Sequence, residues 1–370
     1  MASSLFPAVH CFSYSTVSCC FFFLLFFYFP SVSHGQNTVP AMYMFGDSLV
    51  DAGNNNHIPL SLIKADFPHN GVDYPGRKAT GRFSNGKNAA DFLAEKLGLQ
   101  SPPPYLSLPS SSNATDTFLR GVNFASGGAG ILNTTHKGQC LTLDRQIELF
   151  SSVYGGLAQQ LGGVETQKHL SQSIIGIVIG SNDLFGYFKS DSDSRATPQQ
   201  FIDSLVFTLT AQLKRLYNLG ARKIFFVGTG PIGCCPSQRI QNKTGDCHVE
   251  SNYGSILYNQ GVSSLLRVMK SELGDMSYSF FNAYSALMEY IQNPSKYEFT
   301  EVKAACCGLG NLNAKVACLP ISSYCSNRRD YVFWDFYHPT AATSRMLTNI
   351  IFDGSHPYVY PVNVRQLADV

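Results

Sequence analysis

Short apolar runs alternate along this chain with stretches whose apolar residues recur every three or four positions. The runs at 41–45, 120–125, 174–179, 223–227 and 278–282 have the length and content of buried strands. Helical spacing is expected over 88–97, 143–154, 198–219 and 253–273. Ser84 and Asn85 can cap the first of these and Gly98 can end it, while Pro198 suits a first turn and Gly220 a stop. Strands that alternate with helices predict a parallel sheet, because each parallel return needs a crossover. The fold class expected is therefore α/β, a three-layer α/β/α arrangement on a flavodoxin-like five-stranded parallel sheet. Polar stretches at 101–116, rich in Pro and Ser, and at 189–197 read as exposed loops.

The amino-terminal segment breaks this pattern. Its first 46 residues hold no Asp, Glu, Lys or Arg, and residues 19–29 (CCFFFLLFFYF) are apolar throughout until Pro30. That is the make-up of a signal-peptide core, although no Lys or Arg stands near Met1. Small residues at Ser33 and Gly35 place cleavage before Gln36, so 1–35 is expected to be a signal peptide and 36–370 a single domain. Eleven residues at about 1.5 Å each cannot cross a hydrocarbon layer roughly 30 Å thick, which argues against a stable membrane anchor.

Composition adds the compartment. Cys11, Cys19 and Cys20 leave with the leader, so eight of the 11 cysteines remain: Cys140, Cys234, Cys235, Cys247, Cys306, Cys307, Cys318 and Cys325. An even number in a secreted chain predicts disulfides, here stapling the carboxyl-terminal half; eight cysteines allow 105 pairings and the sequence does not choose among them. Sequons at Asn113, Asn133 and Asn242 agree with a secretory route as glycosylation sites. With 27 Lys plus Arg against 25 Asp plus Glu and no basic run, nucleic acid is not an expected partner.

Chemistry concentrates where predicted strands end. Ser48, in Phe-Gly-Asp-Ser-Leu, follows the first run directly, at the carboxyl edge where α/β crevices form. A serine there is often only a turn former. Two more small polar segments, 123–130 (NFASGGAG) and 180–183 (GSND), converge on the same edge. Acyl transfer needs donors aimed at the oxygen that becomes negative, and Gly128 and Asn182, with the Ser48 amide, suit that oxyanion hole; Gly127 remains open as an alternative. Otherwise the glycines are tight turns and Asn182 an Asx turn. Near the carboxyl terminus, Asp335 and His338 stand three residues apart, which in one helical turn lets a carboxylate orient an imidazole. Gly228-Thr-Gly-Pro-Ile-Gly233 matches a dinucleotide fingerprint, but Pro231 and Pro236 oppose the helix such a site requires.

FGDSLVDAGN, GVNFASGGAG, IGSND and WDFYHPT, in this order over about 41–351, resemble the four blocks of the plant GDSL esterase/lipase family of SGNH hydrolases. The resemblance implies an SGNH fold and a site of Ser48, Gly128, Asn182 and His338, with Asp335 as third triad member. It is distinct from the α/β-hydrolase route, whose G-x-S-x-G elbow is absent. The expected function is a secreted esterase acting through an acyl-enzyme on Ser48. An acyltransferase with the same intermediate, or an idle wall- or carbohydrate-binding protein, are the rivals. No metal or organic cofactor is implied, and the expected partner is a small-molecule, lipid or polysaccharide ester taken by a monomer.

Overall fold

The computed structural model describes residues 39–109, 115–190 and 196–370; the expected leader and the sequon at Asn113 lie outside the described residues. Its centre is a five-stranded sheet, β1 (Met42–Gly46), β2 (Ile174–Val178), β3 (Lys223–Val227), β4 (Ser277–Phe281) and β5 (Val359–Pro361), hydrogen-bonded in that order. The first four strands are parallel, with Met42 beside Ile174 and Lys223 beside Ser277, while β5 runs antiparallel to β4. The helices around the sheet include α1 (Ala89–Lys96), α2 (Leu143–Leu161), α3 (Ser181–Lys189), α4 (Pro198–Asn218), α5 (Val249–Glu272), α6 (Ala283–Gln292), α7 (Ala341–Asp353) and α8 (Val364–Asp369).

Alternation along the strands builds the three layers. Tyr43, Phe45, Ile175, Ile177, Ile224 and Phe226 turn to one face and pack with apolar residues of α2, α4 and α5. Met42, Met44, Ile174, Val178, Phe225 and Phe281 turn to the other, against α1, α6, α7 and α8. Both faces of the strands are buried, which is why they read as continuous apolar runs. At the centre of β2, a Cβ on Gly176 would lie 2.3 Å from the Phe225 ring and 2.5 Å from the Met44 sulfur, so only glycine fits between those side chains.

Two strand expectations change. The run at 120–125 is extended but not a regular strand: Met44 N–H donates to Val122 O at 3.0 Å, and Met44 O accepts from Phe124 N–H at 2.7 Å. On its other side Asn123 exchanges bonds with the Pro103 carbonyl and the Tyr105 amide, a neighbour in which proline supplies no donor and the ladder cannot continue. Counted in chain order, this segment edges β1 and restores the flavodoxin-like order 2-1-3-4-5. The fifth strand of the sheet, β5, lay unrecognised in the sequence because it is three residues long and ends in proline.

Helices form where expected, with longer ends. α2 runs on to Leu161, and α5 starts at Val249 with His248 as its cap. The cap of α1 is Asn88, not Ser84 or Asn85; its side chain accepts from Ala90 and Asp91 while Asp91 answers to the Asn88 amide, a reciprocal capping box. α3, α6 and α8 have no counterpart among the expected helices. Asn85 instead receives the Ala341 amide of α7 at 2.8 Å.

Three disulfides, Cys234–Cys247, Cys306–Cys325 and Cys307–Cys318, staple the carboxyl-terminal half and fit an oxidising compartment. The even count does not carry through to four bridges: Cys140 and Cys235 are free thiols, both pushed up to about 12 by burial and so protonated. Cys234 pairs with Cys247, leaving its neighbour Cys235 facing the Tyr337 carbonyl at 3.7 Å, and Cys140 lies among the carbonyls of Thr135 and His136. No helix of the described residues is long and apolar enough to cross a membrane.

Candidate active site

The chain leaves β1 through a clamped glycine. Gln146, wholly buried on α2, accepts the Gly46 amide and donates to the Gly46 carbonyl, each at 2.8 Å. Asp47 N–H then bonds Val178 O of β2, and Val50 and Asp51 N–H return to Asp47 O, closing a single turn that begins at the crevice. Ser48 sits on that turn, half-buried.

Beneath it the following residues form a polar scaffold. Asp51 accepts from Gly53 N–H at 2.7 Å, Asn54 N–H at 2.8 Å and Gly127 N–H at 3.0 Å. Asn54 donates to the carbonyls of Asn123 and Ala125 and accepts the Leu106 amide; Asn123 donates to Val50 O at 2.7 Å. All three side chains are wholly buried, so their hydrogen bonds are mandatory and tie the Ser48 segment to the 123–130 segment.

His338 comes from the far end of the chain. Its Nε2 lies 2.7 Å from Ser48 Oγ, across a sequence separation of 290 residues. Its Nδ1 is 2.7 and 2.8 Å from the two carboxylate oxygens of Asp335, which assigns the proton to Nδ1 and leaves Nε2 to accept from the serine hydroxyl. The stretch from Asp335 to His338 is a bend and not the helical turn expected: Asp335 Oδ1 also accepts the amides of Tyr337 and His338 at 2.8 Å, and that Asx-type closure brings the two side chains together. Asp335 and His338 are both buried, and the Phe83 ring stacks at a tilt on the imidazole, 5.0 Å between centroids.

A covalent cage backs this bend. Cys306 and Cys307 N–H donate to the carbonyls of Phe333 and Trp334, and Trp334 is fully buried against both cysteines and Cys318. The indole N–H reaches Asn70 Oδ1 at 3.1 Å.

Donors for an oxyanion can be counted. Gly127 N–H is taken by Asp51 and Ala129 N–H by Ser126 O. The amides of Ser48 and Gly128 bond to no protein acceptor among the described residues. Asn182, in the first turn of α3, spends one Nδ2 hydrogen on Ala129 O at 2.9 Å and keeps the other. Gly128 has φ +86°, and a Cβ there would meet Ile63 Cδ1 at 2.6 Å; the position is closed to other residues.

Three carboxylates crowd below. Burial pushes Asp47 up to about 7 and Asp51 up to about 6, and raises Asp183 as well. Asp183 accepts from the amides of Ile131 and Leu132 and from the Thr135 hydroxyl at 2.6 Å. Asp51, Asn54, Asn55, Asn123 and Asp183 were not singled out as site residues from sequence. The only local signal for the first three is the polar run from Asp51 to Asn56 directly after the Ser48 turn.

Ser48, Gly128, Asn182, Asp335 and His338 all line one cleft of about 410 Å³, whose apolar lining includes Val178, Val227, Phe281, Leu287 and Leu347. Gly228 and Gly230 line it too, as loop residues; a short 3₁₀ turn at Ile232–Cys234 stands where a dinucleotide site would need a helix. Of the described sequons, Asn133 and Asn242 are both exposed.

A hydroxyl, an imidazole and a carboxylate in line, at the carboxyl edge of a parallel sheet beside free amide donors, are the equipment of an ester hydrolase. The comparisons agree with that class. A family model described as GDSL-like lipase/acylhydrolase matches residues 42–351. The chain is 44 % identical over 339 residues to the GDSL esterase/lipase At5g55050 of Arabidopsis thaliana, covering 89 % of this chain and 90 % of the relative. It is 41 % identical over 317 residues to GDSL esterase/lipase At5g37690 of the same plant, covering 84 % and 87 %, and 36 % identical over 331 residues to GDSL esterase/lipase LTL1, covering 88 % and 89 %. The chain belongs to the GDSL lipase/acylhydrolase family, with its SGNH fold, and is a carboxylic-ester hydrolase.

Proposed function

We propose that this protein is a secreted serine esterase that works through an acyl-enzyme on Ser48. The observation that carries the reading is the 2.7 Å contact between Ser48 Oγ and His338 Nε2. As Ser48 Oγ bonds to the ester carbonyl carbon, its proton passes to His338 Nε2, and Asp335 steadies the resulting imidazolium. The carbonyl oxygen, now negative, takes hydrogen bonds from the Ser48 and Gly128 amides and from the spare Nδ2 hydrogen of Asn182. Collapse breaks the bond to the alcohol oxygen, which leaves with the proton from His338. A water then gives its proton to His338 as it attacks the acyl carbon; the acyl–Oγ bond breaks, Ser48 Oγ takes that proton back from His338, and the acid is released.

The apolar lining of the cleft supports an acyl group as the part of the ester buried there. Domain 36–370 acts after loss of the 1–35 leader, as a monomer, with glycans on Asn113, Asn133 and Asn242; the disulfides and the exposure of Asn133 and Asn242 support that route. Labelling with a fluorophosphonate should modify the parent and leave Ser48→Ala untouched, and Ser48→Ala should lose on the order of 10⁴-fold in kcat. An unlabelled parent would favour the idle binder, and full turnover by Ser48→Ala would end the assignment. Release of an ester of an added alcohol in place of the acid would mark an acyltransferase.

A further inference from the structure

Three consecutive carbonyls beside the proposed oxyanion site are each held by a side-chain N–H from a different part of the chain. Gly127 O accepts from Asn55 Nδ2 at 2.8 Å, and Ala129 O from Asn182 Nδ2 at 2.9 Å. Between them, Gly128 O lies 2.9 Å from His136 Nδ1. A carbonyl can only accept, so Nδ1 carries the proton, as it does in one neutral tautomer and in the imidazolium. Asn55 follows the Ser48 turn and Asn182 is itself a proposed donor, whereas His136 has no part in the proton transfers.

His136 is exposed at the cleft, and its backbone is left-handed at φ 42°, a conformation uncommon outside glycine, though more frequent for histidine than for most residues, that suitable surroundings hold in place. Those surroundings are present: the loop is tied to buried Asp183 through Ile131, Leu132 and Thr135, and the His136 carbonyl accepts the Gln139 amide at 2.9 Å. Asp183 directly follows Asn182, so one carboxylate sets both the loop that carries His136 and the first turn that carries the amide.

Gly128 is the residue most in need of such a hold. With φ +86° and no side chain, its two torsions are restrained by nothing of its own. Asn55 fixes the peptide plane that bears the Gly128 N–H, and a grip on Gly128 O joins the Ala129 N–H bond to Ser126 O in fixing the next plane, whose far side leads to the carbonyl that Asn182 holds. We propose that His136 is a positioning residue for the oxyanion site: by donating Nδ1–H to Gly128 O, it keeps the Gly128 amide and the Asn182 side chain aimed at one point. This rests on the esterase reading above.

Three variants test it on p-nitrophenyl acetate, with thermal melting in parallel. His136→Ala removes the donor; His136→Gly removes the donor and relieves the backbone. His136→Asn keeps an N–H near the place of Nδ1 and tolerates the left-handed backbone. The alanine and glycine variants should lose about 10-fold in kcat with KM within about twofold, and the asparagine variant should recover most of that loss. His136→Gly should melt at or above the parent temperature while remaining slow, which separates aim from stability. Parent-like kcat in His136→Gly, a loss confined to KM, or an asparagine variant as slow as alanine would each overturn the proposal. Ser48→Ala run alongside isolates the two claims, since its retained turnover would refute the esterase reading, whereas a dead Ser48→Ala beside an unaffected His136→Gly refutes only this one.

Discussion

The two halves of the candidate site are fixed by opposite means. The Ser48 side rests on buried side-chain hydrogen bonds, with Asp51, Asn54 and Asn123 binding backbone groups up to 76 residues away. The His338 side rests on covalent loops, with Cys306–Cys325 and Cys307–Cys318 enclosing Trp334 behind a bend that one carboxylate closes. The polar scaffold sits next to β1 and can lean on the sheet, which aligns its donors in advance. The bend lies beyond the main sheet, among short strands of two to five residues, where little apolar area is available. Cross-links there limit the unfolded alternatives that packing alone would not exclude.

Removing one member of each device gives the comparison numbers. Asn54→Ala strands two buried carbonyls and the Leu106 amide, and should cost about 4 kcal/mol in urea unfolding. A cost under about 1 kcal/mol would mean that the scaffold is not what holds Ser48. Replacing Cys307 and Cys318 together by serine opens a loop with a separation of 11 residues and should cost about 3 kcal/mol, with kcat lowered as the bend loosens. Unchanged stability and turnover would show that Trp334 packing suffices without the bridge.

A further effect, confined to a pH window, concerns Asp47, whose carboxyl burial pushes up to about 7. Because the folded state holds this proton more tightly than the unfolded chain, the group's contribution to stability is full at low pH. It is lost as pH rises from about 4 to about 7. Asn at this position does not titrate. The stability of the parent relative to Asp47→Asn should therefore decline across that window by about 4 kcal/mol and level off above it. Parallel stability curves would place the carboxyl at an ordinary value.

Whatever a short window of residues can encode was readable from the chain. β1 to β4 are apolar because both of their faces are covered, and Ser48, Gly128, Asn182, Asp335 and His338 stand out because small polar segments directly after apolar runs have few other uses. Pairings between distant positions leave no local trace. Nothing near Asp183 announces Thr135, nothing near Gly128 announces His136, and vicinal cysteines do not say which sulfur takes a partner. The run at 120–125 has a strand's composition, and only its proline-bearing neighbour, 16 to 22 positions earlier in sequence, denies it a regular ladder. The Asp335–His338 spacing pointed to the right pair of side chains with the wrong backbone, because a three-residue offset serves a helix and an Asx-closed bend equally well.

The separation of 290 residues between hydroxyl and imidazole has a consequence in time. At about 5–20 residues per second, a ribosome makes the serine roughly 15–60 s before the histidine. Throughout that interval the growing polypeptide carries an unassisted alcohol and threatens no membrane or metabolite it passes. A transcript cut short anywhere between codons 48 and 338 would yield a chain with the hydroxyl and without its imidazole.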